Sequence, residues 1–275
     1  LSLITNAEVI KQDKVLRGHF RLTLAAPEVA VAARPGQFLH VSCGKTYDPL
    51  LRRPVSIHAV DRQKGEVSLL YRVAGRGTTL LSGQKEGDSI SILGPLGNGF
   101  TMPVGNENVF VVAGGIGVAP LYFFLQELSG NNHKATVLLG ASTKEQLICV
   151  KEIKDLGHTV LLATDDGSSG HQGTVVELFD LYARLPVHSC GDYNPDEEQA
   201  GFVYGCGPTA MLKELCGAIQ ENGFDGEISL EERMGCGVGA CLSCACKAKD
   251  GEDGFRYRRV CLEGPVFPAE GVVWS

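Results

Sequence analysis

The chain has 275 residues, a formal net charge of −7, and 44 % apolar against 21 % charged residues. That length suggests two domains with room for a small third, and the apolar share is enough to build real cores. The acidic balance, with its lysines and arginines scattered, argues against a nucleic-acid partner, which needs a basic face.

Residues 1–15 carry Glu8, Lys11, Asp13 and Lys14 where a signal peptide needs an apolar core, so no secretory leader is expected there. Apolar runs such as 109–113 are strand-length, too short for a helix crossing a bilayer, and no membrane association is expected. Five of the ten cysteines fall between Cys236 and Cys261. Clustering of that kind in a chain too long to need staples points to metal rather than disulfides, and to a cytoplasmic location.

From 1 to 101 the pattern is β. Short runs at 19–24, 38–43, 55–60, 67–73 and 89–93 are separated by Arg34-Pro35-Gly36, Lys64-Gly65 and Glu86-Gly87-Asp88, which predicts a barrel or sandwich. A short helix is predicted over 78–81, with Thr78 able to cap it. Three groups here suit a flavin dinucleotide. Arg53-Pro54-Val55-Ser56 opens a strand with a guanidinium and a hydroxyl, the bidentate cation and neutral donor that a diphosphate wants. Leu70-Tyr71-Arg72 adds an aromatic face and another cation. Gly75-Arg76-Gly77-Thr78-Thr79 leads into a helix start, whose free N–H groups favour phosphate. Singly each is an ordinary strand edge or turn; their order carries the reading.

From 102 to 225 strands at 109–113, 135–141, 159–163 and 202–206 alternate with helices at 119–128, 144–154, 175–185 and 209–221, which predicts a parallel sheet with crossover helices. The polar, acidic stretch 186–200 reads as a surface insertion. After the first of these strands comes Gly114-Gly115-Ile116-Gly117, opening a helix. Gly114, Gly115 and Gly117 would let main chain approach a dinucleotide, although the Gly-x-Gly-x-x-Gly fingerprint is absent and a plain tight turn is the rival reading. Gly205-Cys206-Gly207-Pro208 sets a cysteine at the carboxyl edge of the sheet. Cys206 is the one candidate catalytic residue, as a group packed near a nicotinamide, with a buried structural thiol as the alternative. Thr164-Asp165-Asp166-Gly167 ends another strand, either to meet ribose hydroxyls or simply to turn.

The last fifty residues hold Cys236-x4-Cys241-x2-Cys244 and a distant Cys261, the plant-type spacing of a [2Fe–2S] cluster. One loop delivers three thiolates and a second segment the fourth. Gly235, Gly237, Gly239 and Ala240 keep the loop small enough for its N–H groups to reach sulfur. Structural zinc commonly uses two short-spaced pairs, which this pattern fits poorly. Cys246 is read as a non-ligand.

The succession Arg-Pro-Val-Ser (53–56), Gly-Arg-Gly-Thr-Thr (75–79), Gly-Pro-Leu-Gly-Asn-Gly-Phe (94–100), Gly-Gly-Ile-Gly-Val-Ala-Pro (114–120) and Cys-Gly-Pro (206–208) resembles the ferredoxin–NADP reductase superfamily. Glu231-Glu232-Arg233-Met234, directly ahead of the cysteines, narrows the resemblance to the electron-transfer subunits of type B dihydroorotate dehydrogenases. That resemblance implies a β barrel plus α/β architecture: an FAD barrel at 1–101, an NAD-binding parallel-sheet domain at 102–225 and a small [2Fe–2S] domain at 226–275. It implies FAD held by Arg53, Pro54, Val55, Ser56, Leu70, Tyr71, Arg72, Gly77 and Thr78, and a cluster on Cys236, Cys241, Cys244 and Cys261. It implies two partners. One is NAD(H); the other is an FMN-containing dihydroorotate dehydrogenase catalytic subunit, in a heterotetramer of two plus two. Wider relatives carry Tyr where this chain has Val55, so stacking on the flavin ring must come from elsewhere or be absent. Two rival readings are a subunit of a ferredoxin:NADP oxidoreductase or sulfide dehydrogenase, and a non-enzymatic iron–sulfur or zinc protein on a degenerate reductase fold.

Overall fold

A computed structural model describes residues 3–44, 48–105, 108–184, 201–251 and 254–274. The stretch 186–200 lies outside the described residues. Six antiparallel strands form the N-terminal half: β1 (Leu3–Leu16), β2 (His19–Ala25), β3 (Phe38–Val41), β4 (Arg53–Asp61), β5 (Glu66–Arg72) and β6 (Ser89–Leu96). They close into a barrel in the order β1-β2-β5-β4-β3-β6. Alternation drives the closure: β6 turns Ile90, Ile92, Gly94 and Leu96 inward in strict period two, and β2 does the same with Leu22 and Leu24. Strand β1, absent from the sequence-based expectation, is long but irregular. Its register shifts between Val9 and Lys11 and again between Lys14 and Leu16, which breaks the alternation that would reveal it. Two short helices accompany the barrel. Helix α1 (Pro27–Ala32) starts on a proline, and α2 (Arg76–Leu81) begins two residues before the predicted 78–81.

The second half is a seven-stranded sheet in the order β10-β9-β8-β7-β11-β12-β15. Its strands are β7 (Asn108–Gly114), β8 (Thr136–Ala141), β9 (Thr159–Thr164), β10 (His171–Gln172), β11 (Gly201–Cys206), β12 (Asp225–Ser229) and β15 (Val266–Pro268); only β15 runs antiparallel to its neighbour. The crossover helices are α3 (Val118–Gly130), α4 (Val150–Asp155), α5 (Val175–Ala183) and α6 (Thr209–Glu221). From β7 the chain steps outward to β8 and β9, then returns to lay β11 on the other side of β7. The switch point therefore lies between β7 and β11, where open α/β sheets bind ligands. The predicted helix 144–154 is broken. A 3-10 turn at Lys144–Gln146 gives way to buried Ile148 and Cys149, and Cys149 takes a left-handed φ of 63° before α4 starts. A left-handed residue cannot continue a right-handed helix, so the helix begins anew after Cys149.

The cysteine-bearing segment is tied to both halves. It contains a hairpin of β13 (Ala245–Lys249) and β14 (Phe255–Arg259) followed by a single helical turn, α7 (Val260–Glu263). Before it β12, and after it β15, join the α/β sheet. Asn98 of the Gly-Pro-Leu-Gly-Asn-Gly turn donates its main-chain N–H to the Gly264 carbonyl at 2.6 Å and its side chain to Glu263 at 3.1 Å. A Cβ on Gly97 would lie 2.6 Å from that same Gly264 oxygen, so only glycine fits there. One apolar core runs through Phe38 and Leu96 of the barrel, Val112 and Ile228 of the sheet, and Cys244 and Cys261.

His58 on β4 is buried against α3, donating from Nδ1 to the Ala119 carbonyl at 3.0 Å and stacking on Tyr122 at 4.7 Å between centroids. Burial pushes its pKa down to about 4. The unfolded chain takes up a proton near 6.5 and the folded chain only near 4, so stability is whole above 6.5 and falls as pH drops between those values. From this residue alone, unfolding at pH 5 should be easier than at pH 7.5 by about 2 kcal/mol. Urea titrations at the two pH values check this against His58→Gln. An undiminished pH dependence in the variant would assign the effect elsewhere.

Candidate functional site

A single cavity of about 830 Å³ opens where the barrel, the sheet and the cysteine segment meet. The barrel contributes Arg53, Pro54, Val55 and Ser56 from the start of β4, Leu70, Tyr71 and Arg72 from the end of β5, and Thr78 from α2. Antiparallel pairing of β4 with β5 brings these sequence-distant groups onto one wall. Gly77 lies behind it: a Cβ there would stand 2.8 Å from the Arg53 Nε, so the glycine makes room for the guanidinium. Arg53 anchors Nη1 on the Leu51 carbonyl at 2.6 Å, and among the described residues no carboxylate pairs with it, which leaves it available to an anion. The Thr78 hydroxyl accepts from the N–H groups of Ala74 at 2.9 Å and Gly75 at 3.1 Å, shaping the turn that follows β5. All nine residues of the expected flavin set thus gather here. Size, an arginine without an acid and an aromatic wall suit a flavin dinucleotide. Tyr71 and Phe38 are the cavity's aromatics; Tyr71 accepts a hydrogen bond from the Gln12 side chain at 2.8 Å, and burial pushes its pKa up to about 12. Val55 is buried.

The opposite wall comes from the sheet. Ile116 of the glycine turn and Ala119 of α3 line the cavity. The three glycines divide their work. A Cβ on Gly117 would collide with the Cys206 carbonyl, and one on Gly114 with the Met211 sulfur. Gly117 thus lets the turn after β7 pack on the end of β11, and Gly114 lets β7 meet the start of α6. Gly115, at φ 55° and facing open space, is the one with room for a ligand beside it. Cys206 is fully buried at the end of β11, and burial drives its thiol pKa far upward, so it stays protonated. Ser229, its partner in register on β12, lines the cavity in its place. At the end of β9, Asp166 accepts from the Ser168 hydroxyl at 2.6 Å and Gly167 turns at φ 72°, the turn reading of that stretch.

The third wall was not assigned from sequence. Leu230, Glu231, Glu232, Arg233 and Met234 run along the cavity, and Cys236 follows two residues later. Glu231 opens onto the cavity yet is surrounded by protein; burial raises its pKa while Arg72 opposes the rise. The spacing of these residues carried a family likeness but no geometry, since only the fold turns the strand end at Ser229 toward the barrel.

Beyond that wall the four cysteines gather about one loop, and the Cys261 main-chain N–H donates to the Cys244 sulfur at 3.4 Å. Among the described residues no three His, Cys, Asp or Glu side chains converge as they would on a single metal ion. Four cysteines, three from one loop and the fourth from α7, are the ligand complement of a [2Fe–2S] cluster. The loop supplies main-chain donors to sulfur: Val238 and Ala240 to Cys236 at 3.4 and 3.3 Å, and Gly239 to Cys261 at 3.2 Å. Positive φ at Gly237 and Gly239 aims those amides inward. Cys241 is exposed, whereas Cys244 and Cys261 sit in the apolar core. Cys246, on β13, packs partly against that core.

Models of three families match in the order of the elements: an oxidoreductase FAD-binding domain over 4–100, an oxidoreductase NAD-binding domain over 111–217, and the iron–sulfur cluster binding domain of dihydroorotate dehydrogenase B over 231–273. The electron transfer subunit of dihydroorotate dehydrogenase B (NAD(+)) from Desulforamulus reducens is 46 % identical over 275 residues, all of both chains. The chain belongs to this family of electron transfer subunits. The Bacillus cereus member is 38 % identical over 270 residues, 98 % of each chain. The solved NADH-dependent reduced ferredoxin-NADP oxidoreductase superposes with a TM-score of 0.81 at 31 % identity, covering 98 % of this chain and 90 % of that one. Like its family, the chain is an oxidoreductase subunit with FAD, NAD and an iron–sulfur cluster as cofactors. Among the described residues no helix is long and apolar enough to cross a membrane.

Proposed function

We propose that this chain takes electrons from an FMN-bearing subunit that oxidises dihydroorotate and delivers them to NAD⁺ in pyrimidine biosynthesis. The observation that carries this reading is the shared wall: residues 230–234 line the flavin-sized cavity and lead directly into the cysteine loop. When bound, the [2Fe–2S] cluster supplies one-electron steps and FAD the pairing of two electrons that hydride transfer to NAD⁺ requires. Arg53, Ser56 and Thr78 bind the diphosphate; Leu70 and Tyr71 orient the flavin, with Pro54, Val55, Arg72 and Gly77 shaping the seat. Ile116 and Gly115 admit the nicotinamide at the switch point, with Gly117 packing the turn after β7 on the end of β11 and Gly114 letting β7 meet the start of α6. Cys236, Cys241, Cys244 and Cys261 bind the iron, and Glu231 to Met234 form the wall between the cavity and the cysteine loop. Cys206 packs behind Ser229 as support for the nicotinamide wall rather than as a proton donor.

The division is 1–101 for FAD, 102–225 for NAD and 226–275 for the cluster, with β12 and β15 of the last part stitched into the α/β sheet. Around exposed Cys241 lie exposed Val238, Leu242 and Leu262, with Phe255 and Tyr257 exposed on the β14 strand. An apolar rim beside a redox centre suits a docking face for the FMN subunit, in a heterotetramer of two plus two. Nine free cysteines among the described residues suit a reducing cytoplasm.

Purification from the native host tests the reading. An FMN-bearing subunit should accompany this chain, and the complex should reduce NAD⁺ when given dihydroorotate. A complex that ignores dihydroorotate and couples ferredoxin to NADP instead would replace this reading with its nearest rival.

A further inference from the structure

His40 occupies the middle of β3, the strand that lies between β4, with its flavin-facing start, and β6. It pairs with Pro54 of the cavity wall. Its side chain is 1 % exposed, yet neither Nδ1 nor Nε2 has a hydrogen-bond partner among the described residues. The main chain of Arg52 and of Cys236 comes beside the ring, but not in hydrogen-bonding geometry. The ring edge is pressed onto the cysteine loop: a Cβ on Gly237 would lie 2.7 Å from Nδ1, and Gly237 holds φ +73°. The same loop aims the amides of Val238, Gly239 and Ala240 at sulfur.

In every protonation state at least one ring nitrogen carries a hydrogen. A buried N–H with no acceptor is costly, and an apolar side chain of similar size would fill the same barrel position without that cost. The hydrogen on the His40 ring therefore has no well-aligned acceptor among the described residues. An anionic thiolate-ligated cluster seated in the adjoining loop is such an acceptor.

Resting on the cofactor reading above, we propose that His40 donates a hydrogen bond to the sulfur of the iron–sulfur cluster and thereby raises its reduction potential. It would act as a positioning and tuning residue, joining the strand next to Arg53–Ser56 to the loop that carries Cys236. A donor to sulfur stabilises the reduced cluster, which has the more negative charge, over the oxidised one. Electrons arriving singly are then held at a potential set partly from the barrel.

The test uses the intact protein and its His40→Leu and His40→Gln variants, with iron content, flavin content and the midpoint potential of the cluster followed by redox titration with electron paramagnetic resonance. His40→Leu should keep its iron, and the ratio of reduced to oxidised cluster at a fixed potential should fall about tenfold, which is about 59 mV for one electron. His40→Gln, whose carboxamide can donate, should recover part of that loss. An unchanged midpoint in His40→Leu overturns the proposal, and so does an equal fall in both variants, which would make the effect one of packing. Should the leucine variant lose its iron, wild-type protein carrying ¹⁵N-histidine decides: pulsed spectra of the reduced cluster should contain a histidine nitrogen coupling, absent from His40→Gln, and its absence from wild type overturns the proposal. Iron-free wild-type protein would instead remove the cluster reading on which the inference rests.

Discussion

Cys241→Ala is expected to strip the iron from this protein while leaving its flavin in place. Cys241 is one of four thiols gathered around the cluster loop, and it is the exposed one. Ser243 hydrogen-bonds its sulfur at 3.2 Å, and that bond together with Cys236 lowers its pKa to about 6. Because Cys241 contributes nothing to the apolar core, its loss should cost little folding stability, in contrast to Cys244 and Cys261, which are packed inside it. Removing one thiolate leaves an iron with an open position and a [2Fe–2S] cluster without its full set. Iron should fall from two per chain to about a tenth of that or less. None of the cavity-lining residues is Cys241, so FAD content and NADH–dye activity should persist. Cys246→Ala is the control, since its side chain packs on the core side of β13, and its iron should be retained. Chemical iron analysis and visible absorption read both outcomes; unchanged iron in Cys241→Ala would remove that thiol from the ligand set.

Arg53→Ala should lose FAD. The guanidinium stands in the cavity without a carboxylate partner among the described residues, held by its own local carbonyls and by the space left at Gly77. Charge-assisted hydrogen bonds of this kind contribute about 1.5–3 kcal/mol each, so flavin affinity should weaken by about 10- to 150-fold. Folding should change little, because the arginine's bonds go to Leu51 and Arg52, its immediate neighbours in the chain. Gly77→Ala attacks the same contact from the other side, by pressing a methyl group to 2.8 Å from Nε. It should weaken FAD in the same direction and by less, since the arginine side chain can shift. Flavin-to-protein ratio after gel filtration, then fluorescence titration of FAD back into the stripped protein, measures both. A full flavin complement in Arg53→Ala would exclude the guanidinium from the diphosphate seat.

What sequence and structure each contributed differs from element to element. The cysteine spacing was legible because a cluster constrains residues that are near one another in the chain, and the glycines between them serve the same local geometry. Strands with clean alternation, such as β2 and β6, were legible for the same reason. Strand β1 was not, because bulges that bend it to the barrel shift the period from one face to the other. The helix expected over 144–154 is shorter in the structure, because Cys149 takes a left-handed conformation that alternation of elements along the sequence does not reveal.

The candidate site shows the division most clearly. The order of short motifs, each weak alone, determined the class of chemistry and most of the barrel residues that line the cavity. Which residues close the space was decided by tertiary structure. Glu231 to Met234 became a cavity wall only because β12 joins the sheet beside β11 and points its end at the barrel. His40 gained its place because a barrel strand and a loop almost two hundred residues later pack edge to edge at Gly237. The two glycine-rich strand ends are brought side by side only because the sheet reverses its strand order between β7 and β11. Local patterns record what neighbouring residues require of one another. Contacts between distant segments are set by burial and closure of the whole chain, and no short window of sequence carries them.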